Sequence, residues 1–299
     1  RGYIPVTAGI EGSANAHLQA NLGKANAHGL DLHVDYKQDI SKDFWVSVMG
    51  NLTVAGNETV FTEEPEYRYA YRSQIGQPIN QGYGLIAERL FVDDKEAANS
   101  PTQLFGSDGG RPMGGDIKYR DVNGDGVING DDVVPIGLPT TPEVIYGFGF
   151  SMGYKSFDLS AFFQGLARES FFIDPKSTAP FVNNAQLLQV YADNHWSEEN
   201  QDMYALWPRL SATHISNNEQ TSTWWMRDGS FMRLKSLEMG YSLPERWIKP
   251  LKVENFRIYF SGLNLLTFSS FKLWDPEQAG NGFAYPIQKV FNLGVNINF

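Results

Sequence analysis

The sequence predicts an all-β chain, about nine antiparallel strands that form part of a transmembrane β-barrel with long loops on one side. Three observations predict it. Segment after segment alternates apolar with polar residues, the side-chain period of a strand. The connections between these segments are unequal, some of two or three residues and others of several tens, as in outer-membrane barrels. No run approaches the ~20 apolar residues of a membrane helix, a test that barrels escape because their two faces alternate and average out.

In chain order, Leu30, Leu32, Val34 and Tyr36 alternate with Asp31, His33 and Asp35. After a short link at Asp39–Asp43, Val46, Val48, Gly50 and Leu52 alternate with Ser47, Met49 and Asn51. Tyr146, Phe148, Phe150, Met152 and Tyr154 alternate with Gly147, Gly149, Ser151 and Gly153, and a tight turn at Lys155-Ser156 leads into Phe157, Leu159, Ala161 and Phe163. The stretch Phe231–Tyr241 alternates but slips phase near Ser236, where a bulge is expected. A short helix is expected around Pro244–Leu251, inside a turn, and Phe256, Ile258 and Phe260 follow. The last stretch, Ile287–Phe299, ends in strict alternation of Leu293, Val295, Ile297 and Phe299 with Gly294, Asn296 and Asn298. An aromatic at its end suits a strand that stays paired to a membrane interface. Placing the two short links and Phe299 at the inner end requires one further strand between about 92 and 142; Asp116–Arg120 (DIKYR) is the best candidate, at the cost of a long inner connection near 93–113. About sixty residues separate the strand ending near Arg168 from the one starting near Ser230, an unusual length for a loop in a compact soluble domain.

Composition bounds the chemistry. The 299 residues carry a net charge of −10 and no Cys, which excludes a disulfide scaffold and thiolate metal sites and argues against nucleic acid as a partner. The chain opens at RGYIPV, with neither initiator Met nor signal peptide, so a mature product or a piece of something longer is expected.

One motif offers ligands. Asp121, Asn123, Asp125, Gly126, Ile128 and Asp132 match positions 1, 3, 5, 6, 8 and 12 of an EF-hand-type loop. Asp121, Asn123 and Asp125 would supply side-chain oxygens and Val127 its carbonyl. Asn129 would bind directly or through water, and Asp132 stands where Glu is usual. Gly126 permits the sharp turn, and Ile128 anchors the loop inward. Hard oxygen donors suit Ca²⁺ in a structural role. The same residues also read as an Asx-rich turn with no metal. Trp196, Trp207, Trp224 and Trp225, with Asn183, Asn184, Asn194 and Asn217, either stack on and hydrogen-bond a substrate or pack their own loop. The same choice applies to Trp274, Asp275 and Glu277, so the candidate substrate-binding set is Trp196, Trp224, Trp225 and Trp274. Glu63, Glu64 and Glu66 read as a solvated acidic loop. The five His show no HExxH spacing, and neither a GxSxG elbow nor a Walker A loop is present, so no enzyme is expected.

The stretches NLGKANAHGLDLHVDY (21–36), GDIKYRDVNGDGVINGDD (115–132), DGSFMRLKSLEMGYSLP (228–244), RIYFSGLNLLTFS (257–269), WDPE (274–277) and YPIQKVFNLGVNINF (285–299) resemble, in this order, the C-terminal third of SusC/RagA-type TonB-dependent outer-membrane transporters. The resemblance implies that residues 1–299 are the C-terminal part of a 22-stranded barrel with a plugged lumen. Residues 115–132 would be a calcium-loop-like insertion within it. It also implies a SusD-like surface lipoprotein, energy from TonB, and a role for Phe299 in recognition by the barrel-insertion machinery. The plug, the TonB-contacting segment and the earlier strands have no counterpart here, and an odd, open set of strands cannot face lipid alone. A piece held by the remainder of the transporter is expected, separated by a nick in an external loop or a break in the chain. The implied function is active import of an oligosaccharide or peptide across the outer membrane of a Gram-negative bacterium, with the loops extracellular. Two other classes stay open: a barrel enzyme, and a secreted soluble calcium-binding β-domain that binds glycans and purifies without detergent.

Overall fold

The computed structural model describes residues 2–5, 17–20, 23–105, 111–182 and 185–299. The chain divides into two compact units: a sheet unit of Gly29–Ala55, Thr141–Phe171 and Arg227–Phe299, and a loop unit of Arg1–His28, Gly56–Thr140 and Phe172–Met226.

Seven antiparallel strands make one sheet: β1 (Lys24–Ser41), β2 (Phe44–Phe61), β3 (Val144–Tyr154), β4 (Phe157–Ala167), β5 (Phe231–Ser242), β6 (Asn255–Ser269) and β7 (Val290–Asn298), all within the sheet unit except residues 24–28 and 56–61. Each neighbours the next in chain order, an up-and-down meander. The register sorts the alternation into two faces. Val46, Met152, Leu159, Met239, Phe260 and Leu293 form one row across β2 to β7, and Ser47, Ser151, Ser160, Glu238, Ser261 and Asn292 form the adjacent row. Side chains of adjacent residues point to opposite faces, so the first row lies on an apolar face and the second on a polar one. Val48, Phe148, Phe157, Leu293 and Val295 are among the large apolar side chains left exposed.

The phase slip in β5 is a bulge. Pairing with β4 shifts between Phe162 and Phe163, and pairing with β6 shifts between Leu234 and Ser236. Across it, Leu234 and Leu237 oppose Phe163 and Ala161, residues of a single β4 face. One extra residue, Lys235, restores the face after the sequence changes phase. The short helix falls at Glu245–Ile248, continued by a 3₁₀ turn at Lys249–Leu251, as the sequence predicts.

Seven strands, not nine, make this sheet. β2 pairs directly with β3, and the described residues of 62–143 contribute no strand to the meander. The DIKYR segment is not a membrane-length strand: only Ile117–Tyr119 is extended, and it pairs with Ala87–Leu90 inside the loop unit. Ile117 and Tyr119 are both buried there, at 0% and 2% exposure. Crossing a bilayer takes ~9–11 residues per strand, which three residues cannot supply. Without the extra strand the expected long inner connection near 93–113 disappears into the stretch 62–143, part of which (106–110) lies outside the described residues. The short links then fall at one end of the sheet unaided: the Lys155 amide donates to the Asp43 carbonyl at 2.7 Å. No helix among the described residues is long and apolar enough to cross a membrane.

Candidate functional site

The EF-hand-like loop belongs to the loop unit and is closed by its own side chains. Asp121 accepts from the amides of Gly124 (2.7 Å) and Gly126 (2.8 Å), Asn123 from Asp125 (2.9 Å), and Asp125 from Val127 (2.9 Å). Gly126 has φ +82°, a conformation that glycine adopts without strain. Ile128 points inward, 1% exposed, as the motif requires. The pair Val127–Ile128 lies parallel to Thr102–Gln103. Asp132 is fully buried and accepts from the amides of Val122 (2.8 Å) and Asn129 (2.9 Å), while Asn129 accepts from Asp131 (2.7 Å). The neighbouring Asp131 is held by Arg72 and by the Tyr71 hydroxyl, which donates to its carbonyl at 2.6 Å. The donors are all hard oxygens, and Asp121, Asn123 and Asp125 are not buried. Asp121 and Asp132 each have both oxygens engaged by amides, and among the described residues no three acidic or His side chains converge to hold a metal.

The tryptophans of the long 169–229 stretch form an interior. Trp225 is 1% exposed, Trp207 6% and Trp196 7%. Trp207 packs, tilted, between Tyr191 (4.3 Å) and Trp225 (5.1 Å), and the Trp225 indole donates to the Asn218 carbonyl at 2.8 Å. Trp196 lies against Gly115, whose φ of +80° and missing side chain leave room for the ring. A cavity of about 30 Å³ beside Trp207, Arg209, Asn218 and Trp225 holds about one water and no sugar ring. Trp224 is half-buried. Asn194 accepts from the Leu206 amide at 2.8 Å and thus braces the same loop, while Asn183 and Asn184 lie outside the described residues.

Beneath these rings lies a polar network that the sequence did not disclose. Asp116, 1% exposed, accepts from Arg209 Nε (2.7 Å), Asn218 Nδ2 (2.9 Å) and the Met113 amide (3.0 Å). Gln103 donates to Asn217 Oδ1 at 2.6 Å and accepts from the Tyr119 amide at 2.7 Å, and Asn217 donates to the Ile117 carbonyl at 2.9 Å. Buried amides and carboxylates are costly unless paired, and here each pairs with a segment about a hundred residues away.

A second cluster sets a pH dependence. Glu96 accepts from Arg89, from the Val92 amide (2.9 Å) and from Lys118 Nζ (2.9 Å). Burial pushes its carboxyl up, but the Arg89, Val92 and Lys118 donors outweigh this and hold it at about 2, against an ordinary 4.5. A lowered folded value stabilises at pH above the unfolded one and is lost as pH falls through the folded one. Acid titration from pH 5 to 2, followed by proteolysis of the loop unit, is therefore expected to show a loss of protection that Glu96→Gln flattens.

In the sheet unit, Trp274 is half-buried and donates through Nε1 to the Ala279 carbonyl at 2.8 Å, and its ring packs on Gly282. It thus lies in a different unit from Trp196, Trp224 and Trp225. On the polar face, Arg257 reaches over Gly240 to pair with Asp158 and with Glu238 at 2.7 Å, three charges drawn from β6, β4 and β5.

No family model matches the chain. Among curated proteins it is 27% identical, over 93% of its length, to the TonB-dependent receptor P3 of Formosa agariphila. It is 31% identical over 62% of its length to the TonB-dependent receptor P26 of the same organism, and 26% identical over 95% to the TonB-dependent receptor SusC of Bacteroides thetaiotaomicron. It spans only 20%, 29% and 27% of P26, P3 and SusC, respectively. Among solved structures, the RagAB peptide transporter superposes on 97% of the chain, and on 31% of its own, with a TM-score of 0.68 at 21% identity. The RagAB peptide importer in its open-open state gives the same TM-score over 99% of the chain.

Proposed function

We propose that the protein to which this SusC/RagA-type TonB-dependent receptor segment belongs actively imports a bulky nutrient, an oligosaccharide or a peptide, across the outer membrane. The observation that carries the reading is the meander of β2 to β7, whose register gives one apolar and one polar face across six paired strands. In this reading the apolar face meets lipid, the polar face lines the lumen, and the long loops are extracellular. The segment supplies wall and loops and makes or breaks no bond; the remainder of the transporter supplies the plug and the contact with TonB, and a SusD-like lipoprotein covers the mouth. The solved neighbours are described as a peptide transporter and a peptide importer, which supports the peptide arm, whereas the sequence relatives are described only as TonB-dependent receptors and leave both arms standing. Uptake of labelled oligosaccharide and peptide mixtures by cells with and without the full-length gene, each with and without an energised TonB system, decides between them. Uptake of both classes unchanged by loss of the gene overturns the reading, as does purification of the intact protein without detergent.

The loop 121–132 is, in the same reading, a structural Ca²⁺ site with Asp121, Asn123, Asp125, the Val127 carbonyl, Asn129 and Asp132 as donors. Its amide-closed shape supports this by holding the three outer side chains in place, and Asp132 braces the loop from within. Calcium is expected to raise the melting temperature of the whole protein and EDTA to lower it, with Asp125→Ala abolishing the difference. An equal response in the variant refutes the site.

A further inference from the structure

The connection between β6 and β7 carries an unusual anchor. Arg233, on β5, is only 2% exposed. Its Nη2 donates to Asp275 Oδ1 at 2.6 Å and lies 3.4 Å from Glu277 Oε2, and its guanidinium sits 5.5 Å from the centre of the Phe231 ring. Asp275 and Glu277 lie more than forty positions further along the chain, in the WDPE stretch. The contact is therefore a tie between a strand of the sheet and the segment that crosses it.

The tied segment is also held by its own contacts. Asp275 also accepts from the Glu277 amide at 3.0 Å and so caps the 3₁₀ turn Pro276–Gln278, whose Pro276 is buried. Phe271, 6% exposed, stands edge-on to both Phe171 and Trp274, each at 5.0 Å. Ala279 holds φ +48°, a strained conformation for a residue with a side chain, and the Trp274 indole bonds to its carbonyl at 2.8 Å. A side chain at Gly282 would run into the Trp274 ring, so the return of the chain past the indole depends on that glycine. Gln278 Nε2 donates to the Ala284 carbonyl at 2.7 Å and closes the far side.

We propose that residues 270–284 are a latched strap, locked onto β5 by Arg233, that stays closed in the working protein and does not swing as a gate. Two carboxylates share one buried guanidinium, so neither member can leave without stranding charge away from water. Trp274, singled out by the sequence as a substrate contact, is then the spine of the strap. Both carboxylates meet the same Nη2; an Arg→Lys exchange keeps the charge but shortens the reach and loses the guanidinium plane that sits over Phe231, so lysine is expected to restore the latch only in part.

The test uses the full-length protein in its own outer membrane. This part of the sequence has no Cys, so a cysteine introduced as Phe271→Cys reports on strap opening through its reaction with a thiol reagent. Labelling is expected to be slow with Arg233 present, at least tenfold faster with Arg233→Met, intermediate with Arg233→Lys, and unchanged with Arg257→Met elsewhere on the polar face. Equal labelling with Arg233 and Arg233→Met, or rapid labelling in both, overturns the latch. Where Arg233→Met fails to assemble, hydrogen exchange of the unsubstituted protein decides. Protection of the Gln278, Ala279 and Ala284 amides comparable to that of β6 supports the strap, and exchange as fast as in an open loop overturns it.

Discussion

Replacing Asp116 with alanine is expected to destabilise the loop unit by about 3–5 kcal/mol, the usual cost of removing one partner of a buried pair. The carboxylate is 1% exposed and receives Arg209, Asn218 and the Met113 amide. Alanine leaves all three donors facing an apolar gap, and Arg209, with its side chain 25% exposed, cannot regain full hydration without moving. The neighbouring backbone bonds share the loss: Phe91 donates to the Asp116 carbonyl at 2.9 Å, and Arg209 to the Gly115 carbonyl at 3.0 Å. Hydrogen exchange at Phe91, Ile117 and Arg209 measures the effect. Glu88→Ala is the control, because the Glu88–Arg120 pair is more open and spans 3.4 Å; such pairs contribute about 0–1 kcal/mol. Equal losses from the two substitutions would show that the Asp116 network is not what holds the loops together.

The contrast between Asp116 and β2 to β7 explains what was legible in the sequence. An amphipathic strand announces itself locally, because its neighbours two residues away share a face, and the rows through Met152 and Ser151 follow from alternation alone. The bulge in β5 was legible for the same reason, as a change of phase. Asp116 and Tyr119 sit in a segment whose alternation looks equally convincing, but its partners are Asn217, Asn218 and Arg209. No period in a sequence reports a contact across a hundred residues, so DIKYR read as wall when it is the base of a loop core. The tryptophans show the same limit from the other side: Trp196 and Trp225 carry the residue type of a binding platform, and burial places them among packing residues. The motif at 121–132 was legible because the hydrogen bonds among its own residues span ten positions or fewer, although Tyr71, Arg72 and the Thr102–Gln103 pair also hold it from outside.

Stability also distinguishes the lipid-facing reading from its soluble alternative, through Val48→Arg. Val48 is 45% exposed, near the middle of the part of β2 that pairs with β3, and opposite Phe150. If this face meets water, an arginine there is a surface substitution and costs within about 0.5 kcal/mol. If it meets lipid near the bilayer midplane, the charge costs about 2–4 kcal/mol. The adjacent Ser47 sits on the opposite face, paired with Ser151, and Ser47→Arg is the matched control with the same charge, strand and depth. Denaturant unfolding of the full-length protein in lipid vesicles is expected to separate the two variants by at least 2 kcal/mol, with Val48→Arg the weaker. A soluble domain would give near-equal values, and an inverted face assignment would make Ser47→Arg the weaker variant. The comparison thus tests the membrane and the face in one measurement, because burial does not explain a large penalty at a side chain this exposed in the isolated chain.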